Sequence, residues 1–340
     1  MKIFITIFFS FFILGITLLP NPSSRKQLKA NDKVSEILYK LGDETPNHFL
    51  RYPSQKEIDL GRQLFHEGFA SRKSGKRVKR LSKHFVCTSC HNVEKEFNDL
   101  SQNNSQKRLD YAAQNQLPFL QGSPMYGVVN RTSFYNGDYY KKYGNLVDVA
   151  RNNLRESIQL CAVECAQGRK LKDWEIEALL AYLWTLGLEI EDLNLQGEDL
   201  QLIENAMLDK NKSAEAISLI KSKYMDHSPA TFTTPPSSFA EGYSLQGIPE
   251  NGKKIYELGC LHCHKDGRYS FLNLDNSKYS FKYLHNHVDS YGHSSIYQVG
   301  RYGTPPRPGK KAYMPQYTQE KMTDQQMEDL RAYISQEAKR

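Results

Sequence analysis

The sequence predicts a mostly α-helical protein whose two halves share one plan. The short pattern Cys-x-x-Cys-His occurs twice, in VCTSCHN at 86–92 and in GCLHCHK at 259–265. Each copy is followed at a distance by a stretch with helical spacing of apolar residues, KDWEIEALLAYLWTLG at 172–187 and TDQQMEDLRAYI at 323–334. These stretches share the tripeptides AYL and AYI, which indicates a repeated architecture rather than two unrelated halves.

Length and composition fit two modest domains. The chain has 340 residues, and its 39% hydrophobic content is enough for two small cores. A formal net charge of +7 is a mild excess and does not indicate nucleic-acid binding. Much of it lies in the run SRKSGKRVKRLSKH at 71–84. Such a run is a solvated loop, a docking patch for an acidic partner protein, or a field that attracts small anions.

The N-terminus predicts export from the cytoplasm. One lysine precedes an almost uninterrupted apolar run from Ile3 to Leu19, which Pro20 ends. The run is long for the core of a cleaved signal peptide and slightly short for a membrane-spanning helix, so cleavage and retention as an anchor both stay open. We assign residues 1–20 to this signal or anchor and residues 21–45 to a tether. The remainder is expected in the periplasm, either soluble or anchored to the inner membrane.

The two Cys-x-x-Cys-His motifs predict covalent attachment of two haem c groups. Two thiols on one helical turn reach the two vinyl groups of a porphyrin, and the next imidazole binds the iron. A thioredoxin-like motif or half of a zinc site are the alternatives, but neither a β-α-β pattern nor further Cys or His pairs accompany the motifs. The predicted residues are Cys87, Cys90 and His91 for haem 1 and Cys260, Cys263 and His264 for haem 2.

The second half has the layout of a class I cytochrome c. Gly252 and Tyr256 precede the haem motif in PENGKKIYELGCLHCH, and Met314 stands before a proline ahead of the last helix. Class I cytochromes c place the distal methionine ligand of iron in such a loop, although Met314 can also be a core residue. Met322 and Met327 are expected to pack. The imidazoles outside the ligand positions are expected to be exposed or satisfied in the core; they are His262, His285, His287 and His293.

The first half repeats this plan with insertions. EIDLGRQLF at 57–65 supplies an opening helix, and 172–187 supplies the closing helix. The apolar stripe of the closing helix consists of Trp174, Ile176, Leu179, Leu180, Leu183 and Trp184. Aligning the halves through AYL and AYI gives an offset of 151 residues, which puts Met314 opposite a position between Cys161 and Cys165. We therefore expect one of these thiols, Cys161, on the iron of haem 1.

Other roles for these thiols stay open. Cys161 and Cys165 are one helical turn apart, and a disulfide between them is possible in an oxidising compartment. Met125, in LQGSPMYGVVN, is an alternative distal ligand of haem 1. In a further alternative both thiols are bystanders.

The segment NNLRESIQLCAVECAQGRKLKDWEIEALLAYL at 152–183 is similar to the thiosulfate dehydrogenases and the related haem subunit of the sulfur-oxidation system. The resemblance implies a cysteine sulfur as distal ligand of a catalytic haem, followed seven residues later by a glycine. Cys161 with Gly168 matches that spacing and Cys165 does not. The resemblance thus implies that Cys161 is catalytic and that the substrate is a small sulfur oxyanion. EIDLGRQLF and CTSCHNVEKEFND more weakly resemble di-haem cytochrome c peroxidases, whose Thr-Pro-x-Leu-Arg segment is not found here.

Ligand chemistry sets an expected direction of electron flow. Methionine raises the potential of a haem, whereas a thiolate lowers it, so electrons would run from haem 1 to haem 2 and on to an acceptor. Capture of an anionic substrate requires cations near haem 1. The cations that cluster in sequence around the thiols are Arg131, Lys141, Lys142, Arg151, Arg155 and Arg169.

The predicted architecture is mostly α, with two class I cytochrome c-like domains at 46–190 and 241–340, each around one covalently bound haem. A linker with short helices joins them over 191–240, and the tyrosine-rich stretch 133–144 covers haem 1. The predicted function is electron transfer by a periplasmic di-haem cytochrome c with acidic redox partner proteins. The alternatives are an oxidoreductase that converts thiosulfate or tetrathionate at haem 1, a di-haem peroxidase-like enzyme, and a cytochrome subunit of a respiratory complex.

Overall fold

The structure, a computed structural model, describes residues 27–71, 77–289, 294–304 and 314–340. Residues 1–20, on which the export prediction rests, lie outside these ranges, as do the centre of the basic run and His293. None of the helices described is long and apolar enough to cross a membrane. The described residues form helices and no β-strand, which confirms the predicted mostly α fold.

The α-helices are α1 (Val34–Leu41), α2 (Gln55–Glu67), α3 (Ser105–Gln114), α4 (Tyr140–Tyr143), α5 (Val147–Ala150), α6 (Leu154–Leu160), α7 (Asp173–Thr185), α8 (Gly197–Leu208), α9 (Ser213–Ser222), α10 (Pro249–Ile255), α11 (Leu261–His264), α12 (Lys278–Val288), α13 (Ile296–Tyr302) and α14 (Asp324–Lys339). Two π-helical turns extend α6 and α10, at Cys161–Cys165 and Tyr256–Cys260. Short 3₁₀ turns include Cys87–Ser89 at the first haem motif.

The first half is built on a close crossing of α2 and α7. Ser54 caps α2 in a reciprocal pair of hydrogen bonds with Glu57, which satisfies donors that the first turn leaves free. At the crossing, a Cβ atom on Gly61 would lie 1.8 Å from the carbonyl oxygen of Ala178 and 2.9 Å from the Cβ of Tyr182. The two backbones therefore approach so closely that only glycine fits.

The same contact occurs in the second half, between α10 and α14. A Cβ atom on Gly252 would lie 2.0 Å from the carbonyl oxygen of Asp329 and 2.7 Å from the Cβ of Tyr333. Tyr333 is the tyrosine of AYI, and Tyr182, at the first crossing, is the tyrosine of AYL. The tripeptides that indicated a repeat in the sequence thus lie at equivalent helix crossings.

Residues 34–41 correct the prediction of a tether over 21–45. They form α1, and Val34, Ile37, Leu38 and Leu41 are buried in a cluster with residues of α8 and α9. The prediction is wrong for this part, because apolar residues at helical spacing give α1 a face that packs as core. The predicted short helices of the 191–240 linker are α8 and α9, and together with α1 they form a small helical cluster of their own.

The two halves pack directly against each other. Helix α3 belongs to the first half by sequence, yet its Leu109 and Ala112, with Phe119, are buried in the core of the second half. The buried guanidinium of Arg108 donates to Glu96 at 2.7 Å, and the ammonium of Lys321 lies 3.5 Å from the same carboxylate. A buried charge network therefore joins the halves.

Candidate functional site

The first motif holds His91 in an orientation suited to a metal ligand. Its Nδ1 donates to the carbonyl oxygen of Ser123 at 2.7 Å, which leaves Nε2 for a metal. Burial lowers the pKa of His91, so the ring is held neutral, as ligation requires. A Cβ atom on Gly122 would lie 2.6 Å from His91 Nδ1 and 2.4 Å from the carbonyl oxygen of Cys90. Glycine is therefore needed for the ring to sit where it does.

The second motif repeats this arrangement. Cys260 ends the π-helical turn that extends α10, and α11 carries the remaining motif residues to His264. His264 Nδ1 donates to the carbonyl oxygen of Leu272 at 2.9 Å, and burial lowers the pKa of the ring. Met314 lies partly buried against the same core as Cys260, and its backbone is paired with Thr304. Met314 thus packs in the core that also holds Cys260, and its role as distal ligand stays a prediction.

A large cavity opens beside the first motif, with about 1660 Å³ of empty space including its mouth. Its walls are mostly apolar and come mainly from α2, α6, α7 and the segments 121–135 and 315–321. The lining includes Cys87, Cys90, His91, Leu64, Phe65, Val128, Leu179 and Leu183, together with Met125, Arg131, Lys142, Cys161 and Cys165. An apolar cavity with two thiols, an oriented imidazole and cations suits a porphyrin whose propionates carry negative charge.

Both thiols of the CAVEC segment line this cavity from the π-helical turn. The structure contains no disulfide among the six cysteines, and the Cys161–Cys165 bond stays a prediction. The neighbouring thiol of Cys161 lowers the pKa of Cys165 to about 7, together with the hydroxyl of Tyr143, 3.3 Å from Cys165 Sγ, and the ammonium of Lys142. The proximity of Cys165 raises the pKa of Cys161. Of the two thiols, Cys165 is the one whose pKa is lowered, whereas the resemblance pointed to Cys161.

Gly168 and Met125 also have clear positions. Gly168 is the glycine that stands seven residues after Cys161. A Cβ atom on Gly168 would lie 2.3 Å from the carbonyl oxygen of Leu81, so only glycine allows the two backbone segments to approach this closely. Met125 lies in the cavity wall, and its backbone N–H donates to the carbonyl oxygen of Asn92 at 2.8 Å. Since Asn92 directly follows His91, the backbone of Met125 is tied to the segment that carries the imidazole.

Only two of the six cations predicted near the thiols line the cavity, Arg131 and Lys142. Arg155 and Arg169 are each held in a two-point ion pair, with Glu177 and Glu175. Lys141 pairs with Asp138, and Arg151 is exposed. These four are structural or surface charges.

Lys321 is a cavity residue that sequence reasoning missed. It comes from the second half and is buried, and burial together with Arg108 lowers its pKa to about 8. Tyr135, Tyr139 and Tyr143 of the tyrosine-rich stretch also line the cavity, as the sequence predicts. No local pattern marks Lys321, because its neighbours in space are distant in sequence.

The two motifs meet where the halves join. Cys263 Sγ lies 4.0 Å from the carbonyl oxygen of Ser89, and the rings of Phe85 and Tyr269 are 6.3 Å apart. His262 is enclosed there, and burial, followed by the charge of Arg268, lowers its pKa to about 4. His262 is therefore a neutral interface residue.

The other spare imidazoles of the described chain have hydrogen-bond partners. His285 Nδ1 lies 3.2 Å from the hydroxyl of Ser335, and His287 Nδ1 donates to the carbonyl oxygen of Tyr283 at 2.7 Å. Met322 and Met327 are buried and pack, as expected. Within the described residues, no group of three or more His, Cys, Asp or Glu side chains is arranged to hold a metal ion by itself.

Comparison with known proteins places one domain in a family. Residues 249–337 match the sequence model of the cytochrome c family. This part of the chain, which contains Cys260, Cys263, His264 and Met314, is a cytochrome c domain, and it implies a covalently bound haem c with iron and an electron-transfer role. No curated protein matched the chain, and no solved structure matched it either.

Proposed function

We propose that the protein is a di-haem c-type cytochrome that passes electrons from a donor at haem 1 through haem 2 to an acceptor. The observation that carries this proposal is the contact between the two motifs, with Cys263 Sγ 4.0 Å from the carbonyl oxygen of Ser89. Cys263 would hold haem 2, and Cys87 and Cys90, which flank Ser89 in the sequence, would hold haem 1, so this contact supports electron transfer between the two groups. Electrons then cross between the halves without leaving the protein.

The protein contributes attachment, orientation and exclusion of water. Cys87 and Cys90 attach haem 1, while Ser123 holds the ring of His91 with Nε2 toward the iron. Cys260 and Cys263 attach haem 2, and Leu272 holds the ring of His264 in the same way. When bound, each haem supplies one-electron chemistry.

The distal sulfurs give the transfer its direction. Met314 is the proposed distal ligand of haem 2, and a thiolate from the Cys161 and Cys165 pair is the proposed ligand of haem 1. Because the thiolate lowers the potential of haem 1, electrons move downhill toward haem 2. The partners we propose are acidic redox proteins, and the location we propose is the periplasm.

Intact mass spectrometry of the mature protein tests the count of haems. The expected result is two covalent haem additions, and one in a Cys87→Ala/Cys90→Ala variant. Cys161→Ser is the matched control, since it removes a cavity thiol outside the attachment motifs and keeps both additions. A wild-type protein with a single haem would contradict the di-haem proposal.

A second candidate is an oxidoreductase that acts on sulfur oxyanions at haem 1. The cavity favours it, because Arg131, Lys142 and Lys321 put positive charge beside two thiols. Purified protein is then expected to reduce ferricyanide with thiosulfate, and Cys161→Ala is expected to abolish this turnover. Wild-type protein without turnover would leave electron transfer as the function.

A further inference from the structure

The two thiols at the first cavity are placed as a pair. Cys161 and Cys165 are the first and last residues of one π-helical turn, and both line the cavity. Both are partly exposed in the wall of a cavity that opens to solvent. A single sulfur ligand needs only one of them, so the second thiol has no role in the proposed electron transfer.

The local backbone allows the two sulfurs to approach each other. Side chains one turn apart on a helix have Cβ atoms about 5–6 Å apart, whereas a disulfide requires about 3.5–4.5 Å. The turn must therefore tighten by about 1–2 Å when a bond forms. Its last hydrogen bond joins Ala166 N–H to the carbonyl oxygen of Cys161 at 2.8 Å, and Gln167, directly after it, has a positive φ of 49°. The helix thus ends immediately beyond Cys165, where few hydrogen bonds oppose such a movement.

We propose that Cys161 and Cys165 form a redox-active dithiol, whose reversible oxidation to a disulfide withdraws the sulfur ligand from the iron of haem 1. This inference rests on the proposed attachment of haem 1. In the reduced state one sulfur would be available to bind the iron of haem 1, with the second thiol beside it. In the oxidised state the two sulfurs would be bonded to each other, and neither would be available as an anionic ligand.

The oxidant we propose is a small organic disulfide. The sulfur of Cys165 attacks one sulfur of the reagent, whose S–S bond breaks and releases one thiolate. Cys161 then attacks the Cys165 sulfur of the mixed disulfide and releases the second thiolate. The protein loses two electrons and two protons, and the reagent gains both as two thiols. Excess thiol reverses each step.

The test uses full-length protein with both haems attached. The protein is equilibrated in a series of buffers with increasing ratios of oxidised to reduced dithiothreitol. Samples are quenched with N-ethylmaleimide and weighed intact. Parallel samples are freed of dithiothreitol, returned to the ferric state with one equivalent of ferricyanide per haem, and read by low-temperature EPR and visible spectroscopy. The four motif cysteines are blocked as thioethers, so only Cys161 and Cys165 react. The expected change is from two maleimide additions to none in one two-electron transition, and the thiolate-type EPR signal disappears over the same range.

Matched variants separate the pair from other effects. Cys161→Ser and Cys165→Ser are each expected to take one maleimide in every buffer and to show spectra that do not depend on the buffer. The proposal would be overturned if the wild type still took two maleimide additions in the most oxidising buffer. It would also be overturned if the disulfide formed but the EPR spectrum of haem 1 did not change. The haem count from the same mass spectra is independent, because fewer than two haems would instead overturn the proposed function.

Discussion

At the scale of single residues, the two imidazoles of the motifs are held in the same way. Each Nδ1 donates to a backbone carbonyl, of Ser123 for His91 and of Leu272 for His264. Such an outer hydrogen bond fixes the tautomer and the direction of the ring before any metal is bound. The carbonyls come from loops that follow each motif, so these loops are part of the sites even though they supply no ligand.

Gly122 is the residue whose replacement tests this orientation. A methyl group at Gly122→Ala would collide with the His91 ring and with the backbone of Cys90. We expect the ring to be displaced and haem 1 to be lost or left without its histidine, so that haem content per protein falls toward about half. Pyridine haemochrome assay measures it. Gly137→Ala, where a Cβ meets nothing within 4 Å, should keep full haem content, and equal losses in both variants would refute the explanation.

Met314 provides a spectroscopic prediction for haem 2. Methionine–histidine ligation gives ferric cytochromes c a weak absorption band at ~695 nm. The band is expected in the wild type and absent in Met314→Ala. Met125→Ala is the matched control, because Met125 lies in the cavity of the first motif, and this variant should keep the band. Persistence of the band in Met314→Ala would exclude Met314 as the ligand.

Local spacing predicted some site residues and could not predict others. Alignment of AYL with AYI predicted that Cys161 and Cys165 lie at the first site, and both line its cavity, because the two closing helices cross their partners in the same register. The distinction between the two thiols depends on Tyr143 and Lys142, whose contacts with Cys165 arise only in the folded chain. Lys321 could not be predicted for the same reason, since packing of the halves brings it to the first cavity.

At the scale of helices, the two crossings explain why the halves look alike while their sequences differ. Each crossing requires a glycine on the first helix, which lies against a carbonyl oxygen and the Cβ of a tyrosine on the last helix. Helix α1 shows the opposite case. Its apolar residues have regular helical spacing, but the helix is only eight residues long. A pattern this short is not recognised as a helix in a segment that otherwise has the composition of a tether.

Gly61→Ala and Gly252→Ala test the crossings. In each variant the new methyl group overlaps a backbone carbonyl of the partner helix, so the helices must separate. We expect a loss of about 1–3 kcal/mol in the free energy of unfolding. Denaturant titration followed by circular dichroism measures it. Gly197→Ala, where a Cβ meets nothing within 4 Å, is the control and should change stability by less than about 0.5 kcal/mol. If Gly61→Ala and Gly252→Ala also changed the free energy of unfolding by less than about 0.5 kcal/mol, the close helix crossings would be contradicted.

At the scale of the whole molecule, the halves are joined by buried charge. Burial alone would raise the pKa of Glu96, but Arg108 and Lys321 outweigh it and lower the pKa to about 2. The folded value lies below the ordinary 4.5, so this carboxylate stabilises the fold above about pH 4.5 and ceases to do so as pH falls toward 2.

Glu96→Gln tests this contribution. The variant leaves Arg108 and Lys321 without a counter-charge, and we expect it to lose about 3 kcal/mol at pH 7. Its stability should also fall less steeply than that of the wild type between pH 5 and about 2. Urea titrations across this range measure both effects. Glu36→Gln, at an exposed pair with Lys40, should cost less than about 1 kcal/mol. Parallel acid profiles for wild type and Glu96→Gln would show that this carboxylate does not join the halves as described.

Part of the wall of the first cavity has a consequence for biogenesis. Pro315, Gln316, Thr318, Glu320 and Lys321 close one side of it, and the ribosome adds them long after the first attachment motif. A truncated chain ending near residue 240 is therefore expected to leave this side of the cavity open, so that a haem attached to the first motif, as proposed, would be reached by small ligands such as cyanide or carbon monoxide. Closure of the first cavity thus depends on folding of the second half.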